Sequence, residues 1–371
     1  MRKRISVLLG ILLTAAFVES ARARQPEGAG SAKRLTVMTQ NLYVGADLSP
    51  AIAAILSGDP DQIPPAVSQV WANVQATDFP TRARALAAEI ERSQPDLIGL
   101  QEAALWRSGP FDGFGLDASR VEYNFVRLLL DALAARGEHY RVVTVFSGFD
   151  VEAPRITSLS PLELEDIRLT DHAVILVREA SEHGRLILSN GQAGNFLTNV
   201  SFGGVTVLYG WASVDVNFGG RKLRFVTTHL ESDVEEVRAA QSVEMIAGPL
   251  HTERPVILVG DLNSNANGDA TSFAYLNFLG AGFTDAWGLA NPGVRINTCC
   301  NDAFLMNSVP FVQPFGRIDH VLFRGSFNVD GARIVGAKPA DRIKGVWPSD
   351  HAGVVVEFGG QDRSGDETPG D

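Results

Sequence analysis

The feature that most constrains the fold is a series of short apolar runs, rich in β-branched residues, that recur along most of the chain and predict β-strands. Nine such runs are RLTVMTQN, DLIGLQ, YRVVTVF, HAVILVR, VTVLYGWASVDV, KLRFVTTH, PVILVGD, RIDHVLF and GVVVEF. Two amphipathic helices are predicted between them, over TDFPTRARALAAEIERSQ and DVEEVRAAQSVEMIAGPL. Many strands, few helices and no steady strand-helix alternation favour two packed mixed β-sheets flanked by helices over a doubly wound parallel sheet.

The two ends of the chain differ in composition from this strand-rich region. Residues 1–23 combine a basic MRKR, an apolar stretch too short to span a bilayer comfortably and the sequence Ala21-Arg22-Ala23. This pattern is typical of a cleaved secretory signal peptide, so we expect a secreted or periplasmic protein. The domain is expected at 35–359, with a flexible segment at 24–34, a helical insertion at 43–77 and a disordered tail at 360–371.

The net charge limits which partners the protein can bind, and the cysteine content limits how far disulfides can stabilise it. The formal net charge of the 371-residue chain is −11, and loss of the basic leader makes the mature protein more acidic. An acidic surface argues against tight, sequence-independent binding of a polyanion, although a basic cleft would reverse this. The two cysteines, Cys299 and Cys300, are adjacent, which excludes a disulfide framework and leaves open whether they are reduced or joined. We assign them a structural role, because two thiols alone are a poor zinc signal.

Polar side chains stand at the ends of six of the predicted strands. They are Asn41, Gln101-Glu102, His229, Asp261 with Asn263, Asp319, and Asp350-His351. One such residue usually belongs to a turn, but six together favour a site. Asn41, Glu102 and Asp350 offer the hard oxygen ligands that Mg²⁺ or Mn²⁺ takes. Because two histidines and a separate aspartate supply a base and two cationic or hydrogen-bonding groups, the set predicts metal-assisted hydrolysis of a phosphate ester.

The motifs QN, PDLIGLQE, TTH, VGDLN, RIDHV and SDH, taken in this order, resemble the endonuclease/exonuclease/phosphatase family over about residues 35–359. Its members include pancreatic-type deoxyribonuclease, apurinic endonucleases, neutral sphingomyelinases and inositol polyphosphate 5-phosphatases. The resemblance implies a four-layer α/β sandwich with the active site at one end of its two sheets. It implies that Glu102 is the principal metal ligand, with Asn41 beside it and Asp350 completing or supporting the metal site.

The same resemblance implies roles for the remaining motif residues. Asp261 would orient or deprotonate the attacking water, and Asn263 would hold a phosphate oxygen. His351 would bind the phosphate with its ring fixed by Asp319, and His229 would hydrogen-bond the phosphate or help the leaving group. Which histidine is the stronger acid stays open. The family often adds a residue from a middle strand, and of Arg168, Asp171 and His172 we select Asp171.

The sequence therefore predicts a Mg²⁺- or Mn²⁺-dependent phosphodiesterase, of endonuclease type, that uses in-line attack of water. The alternative is a sphingomyelinase-like lipid phosphodiesterase with peripheral membrane contact, and the apolar stretch 303–315 would be either its lipid-facing loop or a buried segment. A non-catalytic secreted binding module is disfavoured because every motif position is filled. The expected partner is a phosphodiester in nucleic acid, phospholipid or a small molecule. No protein partner is implied, and a monomer is expected.

Overall fold

Two β-sheets packed face to face form the centre of the computed structural model, which describes residues 34–113, 115–182, 185–268 and 272–359. The predicted signal peptide and C-terminal tail, and all but the last residue of the 24–34 segment, lie outside the described residues. None of the helices within the described ranges is long and apolar enough to cross a membrane.

The strands are numbered here in chain order. They are β1 (Leu35–Asn41), β2 (Leu97–Gln101), β3 (Leu105–Pro110), β4 (Arg120–Asn124), β5 (Tyr140–Leu159), β6 (Leu162–Arg178), β7 (Leu186–Asn195), β8 (Val200–Phe202), β9 (Val205–Val207), β10 (Gly210–Phe218), β11 (Arg221–His229), β12 (Val256–Asp261), β13 (Thr284–Asp285), β14 (Asp319–Arg324), β15 (Asn328–Val335) and β16 (Gly353–Gly359).

Both large sheets are mixed. The first has the order β15-β16-β1-β2-β6-β3-β4, with β5 also paired to β6, and the second has the order β13-β14-β12-β11-β10-β7. Parallel pairs occur between β1 and β2 and between β11 and β12, whereas their other neighbours run antiparallel. Strands β8 and β9 form a separate two-stranded sheet.

Helices flank the two sheets. They are α1 (Ser49–Ser57), α2 (Ile63–Ala76), α3 (Phe79–Ser93), α4 (Phe125–Ala134), α5 (Glu179–Glu182), α6 (Glu235–Ala247), α7 (Phe273–Gly280) and α8 (Ala286–Ala290), with 3-10 turns at Pro60–Gln62 and Pro339–Asp341. Residues of α2, α3 and α4 share one apolar cluster with the first sheet, and residues of α6 and α7 share another with the second. A third cluster lies between the sheets. The arrangement confirms the predicted four-layer α/β sandwich.

The two sheets approach each other closely at Gly99 in β2. A Cβ atom at this position would lie 2.5 Å from Thr227 Oγ1 in β11 and 2.5 Å from Val259 Cγ2 in β12. Real Cβ atoms do not tolerate such distances, because interiors are already packed to crystal-like density. Glycine is therefore required for the sheets to pack at their present separation.

The strand predicted over residues 205–216 is wrong in its extent. The run VTVLYGWASVDV divides after Val207, because Val205–Val207 pairs with β8 while Gly210–Phe218 lies between β7 and β11. The backbone carbonyl of Tyr209 accepts the Phe196 amide at 2.9 Å at the break. The predicted insertion at 43–77 contains α1 and α2, and α2 residues pack with β6 on the outer face of the first sheet.

Glu89 of α3 is a buried acid outside the predicted motifs. Both of its carboxylate oxygens lack a hydrogen-bond partner among the described residues. Burial, with a contribution from the charge of Asp341, raises the pKa of Glu89 well above its ordinary value. The protein therefore loses stability as pH rises from the pKa of an unfolded glutamate toward the raised folded value.

Replacing Glu89 with glutamine is expected to stabilise the fold by roughly 1 kcal/mol at pH 8, because the ionisable group is removed from a site without partners. The gain should shrink toward zero near pH 4, where glutamate is largely protonated in both states. Urea unfolding of both proteins from pH 4 to pH 8 measures this difference in the free energy of unfolding. A pH-independent difference between the two proteins would contradict the explanation.

Candidate active site

Strand ends from both sheets meet at one end of the sandwich. In the first sheet, Asn41 ends β1 beside the end of parallel β2, and Glu102 is the residue that follows β2. In the second sheet, His229 is in register with Asp261 and Asp261 with Asp319, on three adjoining strands. Asn41 contacts Asp261 directly, so the two groups of strand ends form one polar cluster.

The side chain of Asn41 links carboxylates from different sheets. Its Nδ2 donates to Glu102 Oε1 at 2.8 Å and to Asp261 Oδ2 at 3.1 Å, while its Oδ1 accepts the Tyr43 backbone N–H at 2.9 Å. The predicted ligand thus presents its amino group to the two carboxylates. Binding a metal through Oδ1 requires either that this oxygen serve both the Tyr43 amide and the metal or that the amide rotate.

Glu102 is fixed by its backbone and by both carboxylate oxygens. It has a φ of 52°, a left-handed conformation that is uncommon for residues other than glycine. Its Oε2 accepts the Val44 backbone N–H at 2.8 Å, opposite the contact of Oε1 with Asn41. Such conformations cost about 1–3 kcal/mol and persist where neighbouring contacts hold them, which is typical of functional sites.

The carboxylates of this cluster repel one another. Burial, reinforced by the negative charges of Glu102 and Asp261, raises the pKa of Asp350 to about 7 against the opposing effect of His351. A bound cation would favour the ionised form of each acid. Asn41, Glu102 and Asp350 therefore fit a site for Mg²⁺ or Mn²⁺, since these hard cations take oxygen ligands.

His351 is surrounded by three aspartates. Its Nδ1 lies 2.9 Å from Asp319 Oδ2, and its Nε2 lies 3.6 Å from Asp261 Oδ2 and 4.0 Å from Asp350 Oδ1. Burial disfavours the charged imidazole, but these three carboxylates outweigh it and raise the pKa of His351 well above its ordinary value. The Nδ1 contact fixes the ring, so Nε2 is directed toward the Asp261 side of the cluster.

His229 and Asp171 are two further titratable groups at the site. His229 Nε2 lies 3.6 Å from Asp261 Oδ2, and its ring meets Tyr209 edge-on with centroids 5.3 Å apart. Within the described ranges, neither His229 Nδ1 nor Asp171 Oδ1 has a hydrogen-bond partner. Burial raises the pKa of Asp171 to about 7, and the charge of His229 opposes this rise. Asp171 thus interacts electrostatically with His229 and Glu102, and its catalytic role stays a prediction.

Two other sequence candidates make mainly backbone contacts. The Asn263 amide N–H donates to Asp261 Oδ1 at 2.9 Å, and its Nδ2 donates to the Leu230 carbonyl at 2.9 Å. Asn263 therefore holds the Asp261 carboxylate in place, in addition to the phosphate contact predicted for its side chain. His172 Nδ1 lies 3.0 Å from the Ala103 carbonyl, and burial lowers the pKa of His172.

Arg82 of α3 supports the site but was not identified from the sequence. It is 1% exposed and donates hydrogen bonds to the backbone carbonyls of Leu42, Tyr43, Thr77 and Pro348 at 2.6–3.2 Å. These bonds join the turn after Asn41 to the loop before Asp350. Burial lowers the pKa of Arg82 to about 10, although the charges of Asp350 and Glu102 favour its ionised form. Arg82 precedes Leu86 by four residues and Ile90 by eight, so it lies on the buried stripe of the helix. This spacing is the feature of the sequence that could have identified it.

The stretch 303–315 is largely exposed, although Leu305 within it is buried against Tyr43 and Trp347. Five apolar side chains in it have relative exposures of 45–62%, namely Phe304, Met306, Val309, Val312 and Phe315. The stretch is tied to the site at its base, because the Tyr43 hydroxyl donates to the Ala303 carbonyl at 2.9 Å and the Asn301 amide donates to the Asp350 carbonyl at 3.0 Å. We refer to residues 303–315 as the apolar loop.

Comparison with known families and structures agrees with the geometry. The model of the endonuclease/exonuclease/phosphatase family matches residues 38–351, a span that contains every predicted site residue. No curated protein sequence gives a significant match.

Among solved structures, a family protein from Leptotrichia buccalis is 16% identical with a TM-score of 0.52, over 87% of this chain and 99% of its own. A mannosyl-6-phosphatase from Bacteroides thetaiotaomicron is 18% identical with a TM-score of 0.52, over 87% and 99%. D. rerio TDP2 complexed with a single-strand DNA product is 18% identical with a TM-score of 0.51, over 88% and 98%. At these identities the structures support the fold.

Proposed function

From the premise that the chain belongs to the endonuclease/exonuclease/phosphatase family and is a metal-dependent phosphoester hydrolase, we propose that it is a Mg²⁺-dependent phosphodiesterase. The observation that carries the proposal is the position of Asp261, whose Oδ2 lies 3.6 Å from Nε2 of both His229 and His351. A carboxylate flanked by two imidazoles can accept a proton from water while the ring N–H groups bind the phosphate.

Each role follows from the contacts of the residue. Asp261 orients and deprotonates the attacking water, since Asn41 and the Asn263 amide hold its two oxygens. His351, kept cationic by its aspartates, donates from Nε2 to the phosphate. His229 donates to the phosphate or to the leaving oxygen. Bound at Glu102, Asn41 and Asp350, Mg²⁺ would supply Lewis-acid stabilisation of charge on the phosphate.

The excess of acids supports a diester over a monoester substrate. Glu102, Asp171, Asp261, Asp319 and Asp350 converge on the cluster, whereas the basic side chains there are His229, His351 and Arg82, and Arg82 donates to backbone carbonyls. A phosphodiester carries one negative charge and a monoester at neutral pH carries nearly two. Electrostatic repulsion therefore penalises the monoester more strongly.

The apolar loop favours a phospholipid as the diester. Its five half-exposed apolar side chains belong to a loop that is hydrogen-bonded to the site at its base, and exposed apolar side chains grouped on one loop are typical of a membrane or ligand contact. An endonuclease, which the sequence motifs predict, would instead present Lys and Arg to the phosphate backbone of a polynucleotide. We propose that the mature enzyme acts outside the cytoplasm, secreted or periplasmic, on the strength of the leader at 1–23.

One panel of substrates tests this function. The purified mature chain is assayed with Mg²⁺ or with chelator on bis(p-nitrophenyl) phosphate, p-nitrophenyl phosphate, supercoiled plasmid, and vesicles of phosphatidylcholine or sphingomyelin. We expect Mg²⁺-dependent cleavage of the artificial diester in preference to the monoester, and of vesicle lipid in preference to plasmid. Plasmid nicking without lipid hydrolysis would establish the nuclease instead. Faster cleavage of the monoester would overturn the phosphodiesterase assignment.

Replacing Asp319 with asparagine is expected to reduce kcat roughly 10- to 100-fold with the fold intact, the usual cost of losing a group that orients a functional histidine. Because Asp319 raises the pKa of His351, its loss should also move the basic limb of the pH-rate profile to lower pH. Asp330→Asn, in an exposed ion pair with Arg34, is the matched control. An unchanged pH profile in a slower Asp319 variant would contradict the role assigned to this pair.

A further inference from the structure

The adjacent cysteines lie against the proposed phosphate-binding histidine. Cys299 and Cys300 are joined by a disulfide, and the backbone of Cys299 forms a bridge with that of His351. Hydrogen bonds flank the pair on both sides, because the Thr298 carbonyl accepts the Ala352 amide at 2.8 Å and the Asn301 amide donates to the Asp350 carbonyl at 3.0 Å. The cysteine pair is thus held in register with the Asp350-His351 segment.

The side chains converge as well as the backbones. One ligand atom from each of Cys299, Cys300 and His351 lies within 4.8 Å of the other two. Cys299 is 1% exposed, whereas Cys300 is more accessible and can be reached by a reductant. While the sulfurs are bonded to each other they are poor donors, but as thiolates they would form, with the imidazole, a soft S₂N donor set.

We propose that reduction of the Cys299–Cys300 disulfide opens a second metal site, formed by both cysteines and His351, for a thiophilic divalent cation such as Zn²⁺ or Cd²⁺. A dithiol reductant supplies two electrons and two protons, so the disulfide becomes two thiols and the reagent becomes its own disulfide. Binding of the cation then releases the two thiol protons. The site is chemically distinct from the oxygen-rich Mg²⁺ site, because soft thiolates and hard carboxylates select different cations.

Occupation of this site would inhibit hydrolysis, a consequence that rests on the proposed function. His351 cannot ligate the soft cation and direct the same ring toward phosphate unchanged, since ligation alters its orientation and charge. The oxidised enzyme would be insensitive to the soft cation at this site. The cysteine pair would therefore set whether Zn²⁺ or Cd²⁺ suppresses the activity.

Cadmium binding to the full mature chain tests the proposal without turnover. Chelator-treated protein is reduced with dithiothreitol, desalted, checked for two titratable thiols and native circular dichroism, and titrated with Cd²⁺ while ultraviolet thiolate-to-cadmium charge transfer is recorded. We expect one equivalent of Cd²⁺ to saturate the band in reduced protein and no band in oxidised protein. Cys300→Ser should weaken or abolish the band, and His351→Ala should weaken Cd²⁺ binding roughly 10- to 100-fold.

The controls separate this site from the active-site carboxylates. Glu102→Ala should keep the band and its affinity, since Glu102 is not one of the three ligands. Folded reduced protein with two free thiols but no band would overturn the proposal, as would unchanged Cd²⁺ affinity in His351→Ala. Thiols that dithiothreitol cannot release from folded protein would also overturn it. None of these outcomes depends on hydrolysis, so a failure of the proposed function would be recognised separately.

Discussion

Glu102→Ala is expected to lower Mg²⁺-dependent kcat/KM by roughly 10²- to 10⁴-fold, the loss that corresponds to several kcal/mol of metal-derived stabilisation. The residue is the principal expected ligand, and its two oxygens are already oriented by Asn41 and by the Val44 amide. Removing the carboxylate also leaves the Asn41 amino group bound to Asp261 alone within the described part of the cluster. Metal affinity and water activation should therefore both fall.

Calorimetric titration with Mg²⁺ and rate measurements on the artificial diester check this expectation. Glu91→Ala is a suitable control, because Glu91 forms a surface ion pair with Arg136 on the helical side of the first sheet. The control should keep its activity and its Mg²⁺ affinity. Full activity of purified Glu102→Ala in chelator would exclude the metal-dependent mechanism.

Arg82→Met is expected to cost roughly 3–5 kcal/mol of stability, comparable to breaking a buried charged network, because four carbonyl oxygens lose their donor. The aliphatic part of the side chain is retained, so the loss reports mainly on hydrogen bonds and charge. Activity should fall further than the unfolded fraction explains, since Arg82 joins the turn after Asn41 to the loop before Asp350. Lysine cannot restore the planar fork that serves several acceptors at once.

Arg84→Met provides the matched comparison two residues along the same helix, because Arg84 is exposed and its guanidinium contacts Thr81. Urea unfolding measures the stability of each variant, and kcat below the unfolding transition measures the effect on the site. We expect the Arg84 variant to lie within about 0.5 kcal/mol of the parent, as surface substitutions usually do. Equal stabilities for the two variants would show that the carbonyl contacts contribute little.

Much of the site could be predicted because strand ends are visible in sequence. Asn41, His229 and Asp261 each end an apolar run, and a strand that ends in a polar residue places it at a sheet edge. The order of the motifs then identified the family and the sandwich. The contact between His351 and Asp319 was expected through that resemblance, and the structure places their atoms 2.9 Å apart.

Other features depend on tertiary contacts that local patterns do not encode. Arg82 was not identified from the sequence, although its helical spacing matches the buried stripe. The cysteines gave a poor zinc signal, because His351 approaches them from 51 residues further along the chain. The extent of β5 and β6 was underestimated, since their outer halves lack continuous apolar character and are fixed by pairing with each other and, for β6, with β3. The exposure of the apolar loop could not be predicted either, because an apolar composition is equally typical of a buried segment.

The close contact at Gly99 bears on how this scaffold could be modified. The site is divided between the sheets: Asn41 and Glu102 belong to one, and His229 and Asp261 to the other. Their alignment therefore depends on a fixed inter-sheet spacing, which even one added methyl group at Gly99 would disturb. For protein engineering this separates two tasks. Substrate preference could be changed by replacing the apolar loop. Gly99 and its contacts with the second sheet should be kept, because they fix the spacing of the two halves of the site.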